Sequence, residues 1–298
     1  MATTTRASLP REAHLPDRVR RILACPFCRL APRFEDGTVR CATCGRAFQL
    51  RGAVPIMLET SPVTAGEGSL RQRMLGYHLG KSLLRLTDQA AADYRSSEAN
   101  RRLPALIAAA GERATLLNIG SGQTRHAPHM VNIDIGAFPQ VDIVGDAQQL
   151  PILDAAADLA VCTALLEHVP DPAAVVAEMR RTLRPGGLAF VETPFLQPYH
   201  EGPDDYQRYT IMGLRHLFSG FTVLECGVVG GPASTFCAAA REFAALTLSF
   251  RSETAYKLLR RAVGLVLFPL RYLDALLVRR PLAHRAAFGL YIVARKEA

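Results

Sequence analysis

Three short apolar runs decide how this chain folds: Leu116-Leu-Asn-Ile-Gly-Ser-Gly122, Val131-Asn-Ile-Asp-Ile135 and Val141-Asp-Ile-Val-Gly-Asp146. Each ends at glycine or aspartate. Residues 116–119 read as a buried strand opening into the Gly120-Ser121-Gly122 turn. Glycine there permits backbone angles that other residues resist and lets the chain approach a ligand closely. Residues 131–135 form a second strand carrying Asp134, where a carboxylate can accept hydrogen bonds from ribose hydroxyls. Residues 141–144 form a third, followed by Asp146. Ligands of open α/β sheets sit outside the carboxyl ends of the strands, so a nucleoside could meet these ends.

The series continues with Asp158-Leu-Ala-Val-Cys-Thr-Ala-Leu-Leu-Glu-His-Val169 and Leu183-Arg-Pro-Gly-Gly-Leu188. In this order the runs resemble the successive motifs of class I S-adenosylmethionine (SAM) methyltransferases, type 11-like, over residues 114–230. The resemblance implies a Rossmann-like α/β sheet, parallel with one antiparallel C-terminal strand. It also implies that Gly120 and Gly122 pass beneath the methionine portion, Asp134 holds the ribose and Asp146 faces the adenine amino group. Leu150 would pack on the ring, with Asn118, Ala147 and Thr163 completing the cofactor set.

Two features depart from that pattern. Asn118 stands where family members usually carry an acid. Only a dozen or so residues separate Gly120 from Asp134, and again Asp134 from Asp146. A right-handed crossover needs at least about 10–12 residues including its helix. The first two crossover helices must therefore be single turns or absent, and something else must cover that face of the sheet.

The 298 residues leave room for one large core and a small module. A hydrophobic content of 49% with 21% charged residues describes a folded protein. Residues 1–16 are polar, unlike a secretory signal, so the expected setting is a reducing cytosol. A net charge of +8 makes nucleic acid or an anionic membrane surface conceivable partners. Without tryptophan, and without a basic run interleaved with aromatics, charge supports RNA binding only weakly.

Four of the seven cysteines have strict spacing: Cys25-Pro-Phe-Cys28 and Cys41-Ala-Thr-Cys44. Two such knuckles supply four thiolates at the corners of a tetrahedron, as zinc prefers. The stretch 20–58 resembles the zinc ribbons of the tRNA-methyltransferase-activator type, which also occur fused ahead of methyltransferase domains. With four protein ligands no position stays open for water, so the expected zinc site at Cys25, Cys28, Cys41 and Cys44 is structural. Cys162, Cys226 and Cys237 lie in apolar surroundings and read as small core residues.

Composition divides the chain into a loose N-terminus (1–19), the ribbon (20–59), a linker with helical cover (60–112) and the methyltransferase domain (113–298). Leucines at i, i+4 intervals make 70–110 helical. Between the sixth and seventh strands, where the methyltransferase fold normally has a short hairpin, about sixty residues intervene. We read 231–288 as a helical insertion. Within it, 256–278 is strongly apolar, but Pro269, Arg271 and Asp274 interrupt it and exclude a membrane span. Two amphipathic helices broken near Pro269 are expected: a lid, a dimer surface, or a contact with a membrane interface.

Methyl transfer from a sulfonium is an in-line displacement; it needs a base only when the acceptor is a hydroxyl or a protonated amine. Glu167-His168 follows the fourth strand. Past the fifth, Thr193-Pro-Phe-Leu-Gln-Pro-Tyr-His-Glu-Gly-Pro-Asp-Asp-Tyr-Gln-Arg-Tyr-Thr210 resembles a loop of methyltransferases in cell-surface polysaccharide and glycan pathways. His200 is the first choice for general base and His168 the second. Tyr199, Asp204, Tyr206 and Arg208 are the candidate acceptor contacts, although Arg208 could instead pair with Asp204 or Asp205. The reading is a cytoplasmic enzyme using SAM and structural zinc on a small-molecule, glycan or lipid-linked acceptor, more readily at oxygen than nitrogen. It allows peripheral contact with the inner face of a membrane and leaves the oligomeric state open. The rivals are an RNA methyltransferase docking through its ribbon, and a non-catalytic partner-binding scaffold.

Overall fold

The computed structural model describes residues 15–35, 37–59, 94–200 and 204–297. The fully buried runs noted above become parallel strands, each shielded on both faces: β5 (Leu116–Ile119), β6 (Val131–Asp134), β7 (Ile143–Val144) and β8 (Ala157–Thr163). Four short antiparallel strands precede them: β1 (Arg33–Glu35), β2 (Thr38–Arg40), β3 (Ala47–Arg51) and β4 (Val54–Ile56). The last three are β9 (Leu183–Pro194), β10 (Thr222–Gly230) and β11 (Gly289–Arg295). All belong to one sheet, in the order β1-β2-β3-β4-β7-β6-β5-β8-β9-β11-β10. Strand β11 lies antiparallel between β9 and β10, which makes this a mostly parallel sheet with a reversed C-terminal strand.

The cysteine-bearing module is continuous with that sheet. Ile56 of β4 pairs in parallel with Val144 of β7, and the Met57 N–H reaches the Val144 carbonyl at 2.7 Å. Leu15 and Val19, expected to lie in a loose terminus, are instead buried against the main core. Val19 sits in the short helix α1 (Asp17–Arg20). Apolar contact overrides the polar composition of that stretch.

Strand pleating sorts the core. Leu117, Ile119, Val131 and Ile133 face Val175, Val176 and Met179 of α3 (Pro172–Thr182), on the side also packed by Leu214 of α4 (Ile211–Leu217). Leu116, Leu159, Val161 and Phe190 face the other way, against Ala99, Leu103 and Leu106 of α2 (Ser97–Ala110). Helix α2 packs on this face over β8 and β10. Most of the helical pattern expected over 70–110 precedes it and falls outside the described residues.

No helix stands between β5 and β6 or between β6 and β7. Buried amides take their place. Asn118 Nδ2 and Asn132 Nδ2 both donate to the Thr124 carbonyl, at 3.0 and 2.9 Å, and Asn132 Nδ2 also donates to the Gln140 carbonyl. The two side chains thus pin both helix-free connections to the sheet. Asn118, read as a cofactor residue, is 1% exposed and committed to this clip, which corrects that assignment.

The insertion consists of α5 (Pro232–Leu248), α6 (Glu253–Leu267), a 3-10 turn over Phe268–Leu273, α7 (Asp274–Leu277) and a final 3-10 turn. The helical break falls at Phe268, beside Pro269, whose ring removes a backbone donor. Asp274 anchors the far segment: it is fully buried and accepts the Ala233 and Ser234 N–H groups at the start of α5, at 2.8 and 2.9 Å. Among the described residues no helix is long and apolar enough to cross a membrane.

Candidate active site

The carboxyl ends of β5, β6 and β7 form one half of the site. Gly120 has φ +69°, and a Cβ there would lie 2.7 Å from Leu165 Cδ2, so both backbone angle and space demand glycine. Its N–H and that of Ser121 bond the Ile133 carbonyl at 2.9 and 3.1 Å, folding the turn over β6. Asp134 then locks the turn. Its Oδ2 accepts the Gly122 N–H and its Oδ1 the Gly136 N–H, each at 2.8 Å. Each oxygen keeps a second lone pair for an outside donor. Gly122, at φ +51°, has nothing within 4 Å of where a Cβ would stand. An open glycine beside a fixed carboxylate suits a ribose and the chain attached to it. At the end of β7, Asp146 Oδ1 caps the 3-10 turn Ala147–Gln149 through the Gln148 N–H at 2.8 Å.

Thr163 and Ala147 are half-buried at their strand end and turn, beside this edge. Leu150 departs from expectation. It is 1% exposed in the core, and its N–H donates to Glu178 Oε2 at 2.9 Å. It presents no surface to an adenine ring. The Glu178 carboxylate also takes Arg181 from the same helix and Arg29 from the cysteine module, at 2.7 and 3.3 Å. This network braces the β7 end of the edge from below.

The other half follows β8 and β9. Ala164 adopts φ +53°, a left-handed conformation that costs a non-glycine residue about 1 kcal/mol or more. The turn it makes sends Leu165 under Gly120 and the Glu167 side chain inward. Glu167 is 0% exposed, and neither carboxylate oxygen has a hydrogen-bond partner among the described residues. Burial pushes its pKa up. Two imidazoles face it: His168 Nε2 at 3.7 Å and His200 Nε2 at 4.0 Å from Oε1. The rings stand edge to face, 5.0 Å apart.

The long loop is held to this corner by its own polar residues. The Tyr206 N–H donates to the Glu167 carbonyl at 2.7 Å, and Gln207 Nε2 donates to the Leu166 and Val169 carbonyls, both at 2.9 Å. The Asp204 carbonyl meets His168 Nδ1. Asp205, its side chain 1% exposed, accepts the His200 N–H at 2.9 Å. Arg208 grips both Asp205 oxygens and also donates to the Gln197 and Pro198 carbonyls. That guanidinium holds the Asp205 pKa down to about 2. Arg208 is therefore a loop brace, which corrects its placement among acceptor contacts. Tyr199 and Tyr206 remain exposed, at 67% and 54%, with Asp204 beside them.

The structure brings His168 and His200 together from positions 32 apart in sequence. It adds two residues that the site reading missed, Glu167 and Asp205. The adjacency of Glu167 to His168 was the available signal for one; Asp205 was marked only as a possible partner of Arg208, three residues on. Two imidazoles and a carboxylate with all ligand atoms within 4.8 Å could also hold a divalent cation.

A second cluster lies in the N-terminal module. The sulfurs of Cys25, Cys28, Cys41 and Cys44 all lie within 4.8 Å of one another, with Cys25 and Cys44 at 3.8 Å. Sulfurs about 2.3 Å from a tetrahedral zinc stand about 3.8 Å apart, so the donor set fits that ion. Proton affinities within the group diverge. A backbone N–H bond from Arg46 brings Cys44 down to about 6, while sharing a hydrogen bond with Cys44 pushes Cys28 up to about 12. By contrast Cys162 is fully buried, and desolvation raises its pKa; it is an inert core residue.

Residues 102–191 match the family model described as a methyltransferase domain. An uncharacterized methyltransferase of Mycolicibacterium paratuberculosis is 30% identical over 172 residues, covering 53% of this chain and 62% of that protein. A ubiquinone biosynthesis O-methyltransferase of Marinobacter nauticus is 30% identical over 109 residues, covering 29% of this chain and 46% of that protein. The chain thus spans less than two thirds of the length of these curated relatives. Among solved structures, a 1,6-didemethyltoxoflavin-N1-methyltransferase of Burkholderia thailandensis aligns with a TM-score of 0.41 at 17% identity, covering 87% of this chain and 99% of that one. The chain carries a SAM-dependent methyltransferase domain.

Proposed function

We propose that this protein transfers a methyl group from SAM to a hydroxyl-bearing acceptor, a small molecule or a glycan or lipid-linked intermediate. The observation that carries the choice of oxygen is the convergence of Glu167, His168 and His200 on one point past β8 and β9. When bound, the cofactor supplies an electrophilic methyl on a sulfonium. The chain supplies everything else. The Gly120–Gly122 turn and Asp134 hold the nucleoside end, and Asp146 stands where an exocyclic amine would be read.

The acceptor hydroxyl enters between the imidazoles, where a ring nitrogen accepts its proton. His200 is the better base. Its side chain is one-third exposed to an entering acceptor, against 12% for His168, and its backbone N–H bond to Asp205 places it there. Burial lowers the His200 pKa, so the ring stays neutral and proton-accepting near neutral pH. Glu167 then stabilises the imidazolium that forms. A buried carboxylate without a hydrogen bond is poised for a charge that appears only during reaction.

The four-thiolate module is read as a structural zinc site that extends the sheet at the adenine side. The test is methyl transfer from labelled SAM to a panel of phenolic, glycan and prenyl-linked hydroxyl acceptors, with amines alongside. Hydroxyl methylation that falls steeply in His200→Ala supports the proposal. Transfer to amines only, or to RNA, removes the oxygen assignment. No transfer and no cofactor binding would leave the scaffold reading.

A further inference from the structure

Residues 231–288 hold nine Arg and Lys against three Asp and Glu, a net +6 of the chain's total +8. The same segment exposes large apolar side chains: Phe236 at 59%, Phe243 at 72%, Phe250 at 87%, Leu258 at 61%, Val266 at 77% and Leu276 at 65%. Helix α6 has no buried residue at all. Apolar side chains this exposed, spread over α5, the turn after it, α6 and α7, mark an interaction site. Charge decides among occupants. A second copy would set +6 against +6. The segment's acids could not offset that, since Glu242 is bound to Tyr256 and Arg260, Glu253 to Lys257, and Asp274 is buried. A nucleic acid would match the arginines but leave three exposed phenylalanines in water.

Position adds a third constraint. Strand β11 is antiparallel to both β9 and β10, so β10 ends at the same edge of the sheet as β9. Helix α5 therefore leaves from the site edge. The stretch returning from the insertion bonds the acceptor loop directly, Phe195 N–H to the Phe288 carbonyl at 2.9 Å and Leu196 N–H to the Ala287 carbonyl at 3.2 Å. Buried Asp274 fixes the helices to this rim.

We propose that α5, α6 and the turn after them dock peripherally on an anionic lipid bilayer, with phenylalanines and leucines in the acyl boundary and arginines at lipid phosphates, next to the mouth of the acceptor site. Basic side chains near such a surface add a salt-sensitive attraction, and the apolar face adds a salt-insensitive part. This goes beyond the methyl-transfer reading and does not depend on it.

The experiment is co-sedimentation of the full zinc-loaded chain with vesicles of phosphatidylcholine alone or mixed with phosphatidylglycerol. SAH binding and sedimentation velocity are measured on the same samples. The expected result is partition onto the phosphatidylglycerol vesicles about tenfold or more above that onto neutral ones, weakened by salt. Phe243→Ser with Phe250→Ser lowers it about tenfold or more, with SAH binding unchanged; both side chains are exposed, so the fold survives the change. Equal or absent partition overturns the proposal. So does a dimer that dissociates in the double variant, or salt-sensitive RNA binding without vesicle binding.

Discussion

The two halves of the site edge solve opposite problems. At the ends of β5 and β6 the charged group and the turn backbone are already answered by neighbours: Asp134 takes two backbone N–H groups, and the glycine turn bonds the Ile133 carbonyl. That leaves only the neutral Asn118 Oδ1 and Ser121 Oγ buried there without a partner among the described residues. Past β8 and β9 the Glu167 carboxylate is buried without a hydrogen bond, beneath two imidazoles just beyond bonding range. The first half is rigid before any ligand arrives and suits a cofactor that returns unchanged in shape each cycle. The second stores unmet electrostatic demand and suits a group whose charge changes during reaction. Breaking each half should therefore give a different signature.

The largest effect is expected in the module that extends the cofactor half. Removing zinc with a strong chelator, or Cys41→Ser, should unfold the module, since structural zinc sites carry on the order of 10 kcal/mol. Because β4 pairs with β7 and Arg29 meets Glu178, SAH affinity should fall with it. Thermal melting with and without chelator, read beside SAH titration, checks this; full affinity in metal-free protein would separate the module from the site.

Next in size is His200→Ala, expected to lower kcat about 10²–10⁴-fold with SAH affinity intact, as for loss of a general base. Burial lowers the His200 pKa, so the acid limb of the pH–rate profile should fall below the ordinary histidine value of about 6.5. A limb above that value would assign the base elsewhere.

Glu167→Gln should divide activity from stability. Turnover drops, yet the ligand-free protein gains about 1–3 kcal/mol near neutral pH by losing an unpaired buried charge. The sign follows from linkage. A carboxyl whose folded pKa is raised stabilises the fold below its unfolded value, and that contribution drains away as pH rises through the folded value. As pH rises above the ordinary glutamate value of about 4.3, melting temperatures should slope downward more in the wild type than in the variant. A variant that is less stable at every pH would mean that the carboxylate has a partner.

The smallest effect is expected from Asn118→Asp, which restores the family's usual acid. The side chain sits in the clip to Thr124 and Asn132, so the change should cost about 1–3 kcal/mol of stability and add nothing to cofactor affinity. Tighter SAH binding would put residue 118 back at the ligand.

This contrast also explains what could be read from the chain before folding. The turn at Gly120–Gly122 beside Asp134 was legible because strand, turn and carboxylate all lie within residues 116–134. The knuckle spacing of the four cysteines is equally local. Asn118 misleads because its task arises only when two crossovers lack helices, and Leu150 because Glu178 and the N-terminal module bury the segment around it. The polar density of the 193–210 loop was visible. Which members brace and which face the gap was not, because Arg208 is consumed by Asp205 and His200 meets Glu167 only through the docked loop. The insertion was legible as helical, but its exposed phenylalanines on α5 were not: apolar residues at helical spacing ordinarily read as core.

The central claim is that Asp134 and the glycine turn hold the nucleoside of SAM, and calorimetric titration of S-adenosylhomocysteine into zinc-loaded protein tests it most directly, beside Asp134→Ala. Micromolar binding in the wild type, weakened about 100-fold in the variant as expected for losing charge-assisted bonds of about 1.5–3 kcal/mol each, is the predicted result. Absence of binding to the wild type, or equal binding to both proteins, would contradict it.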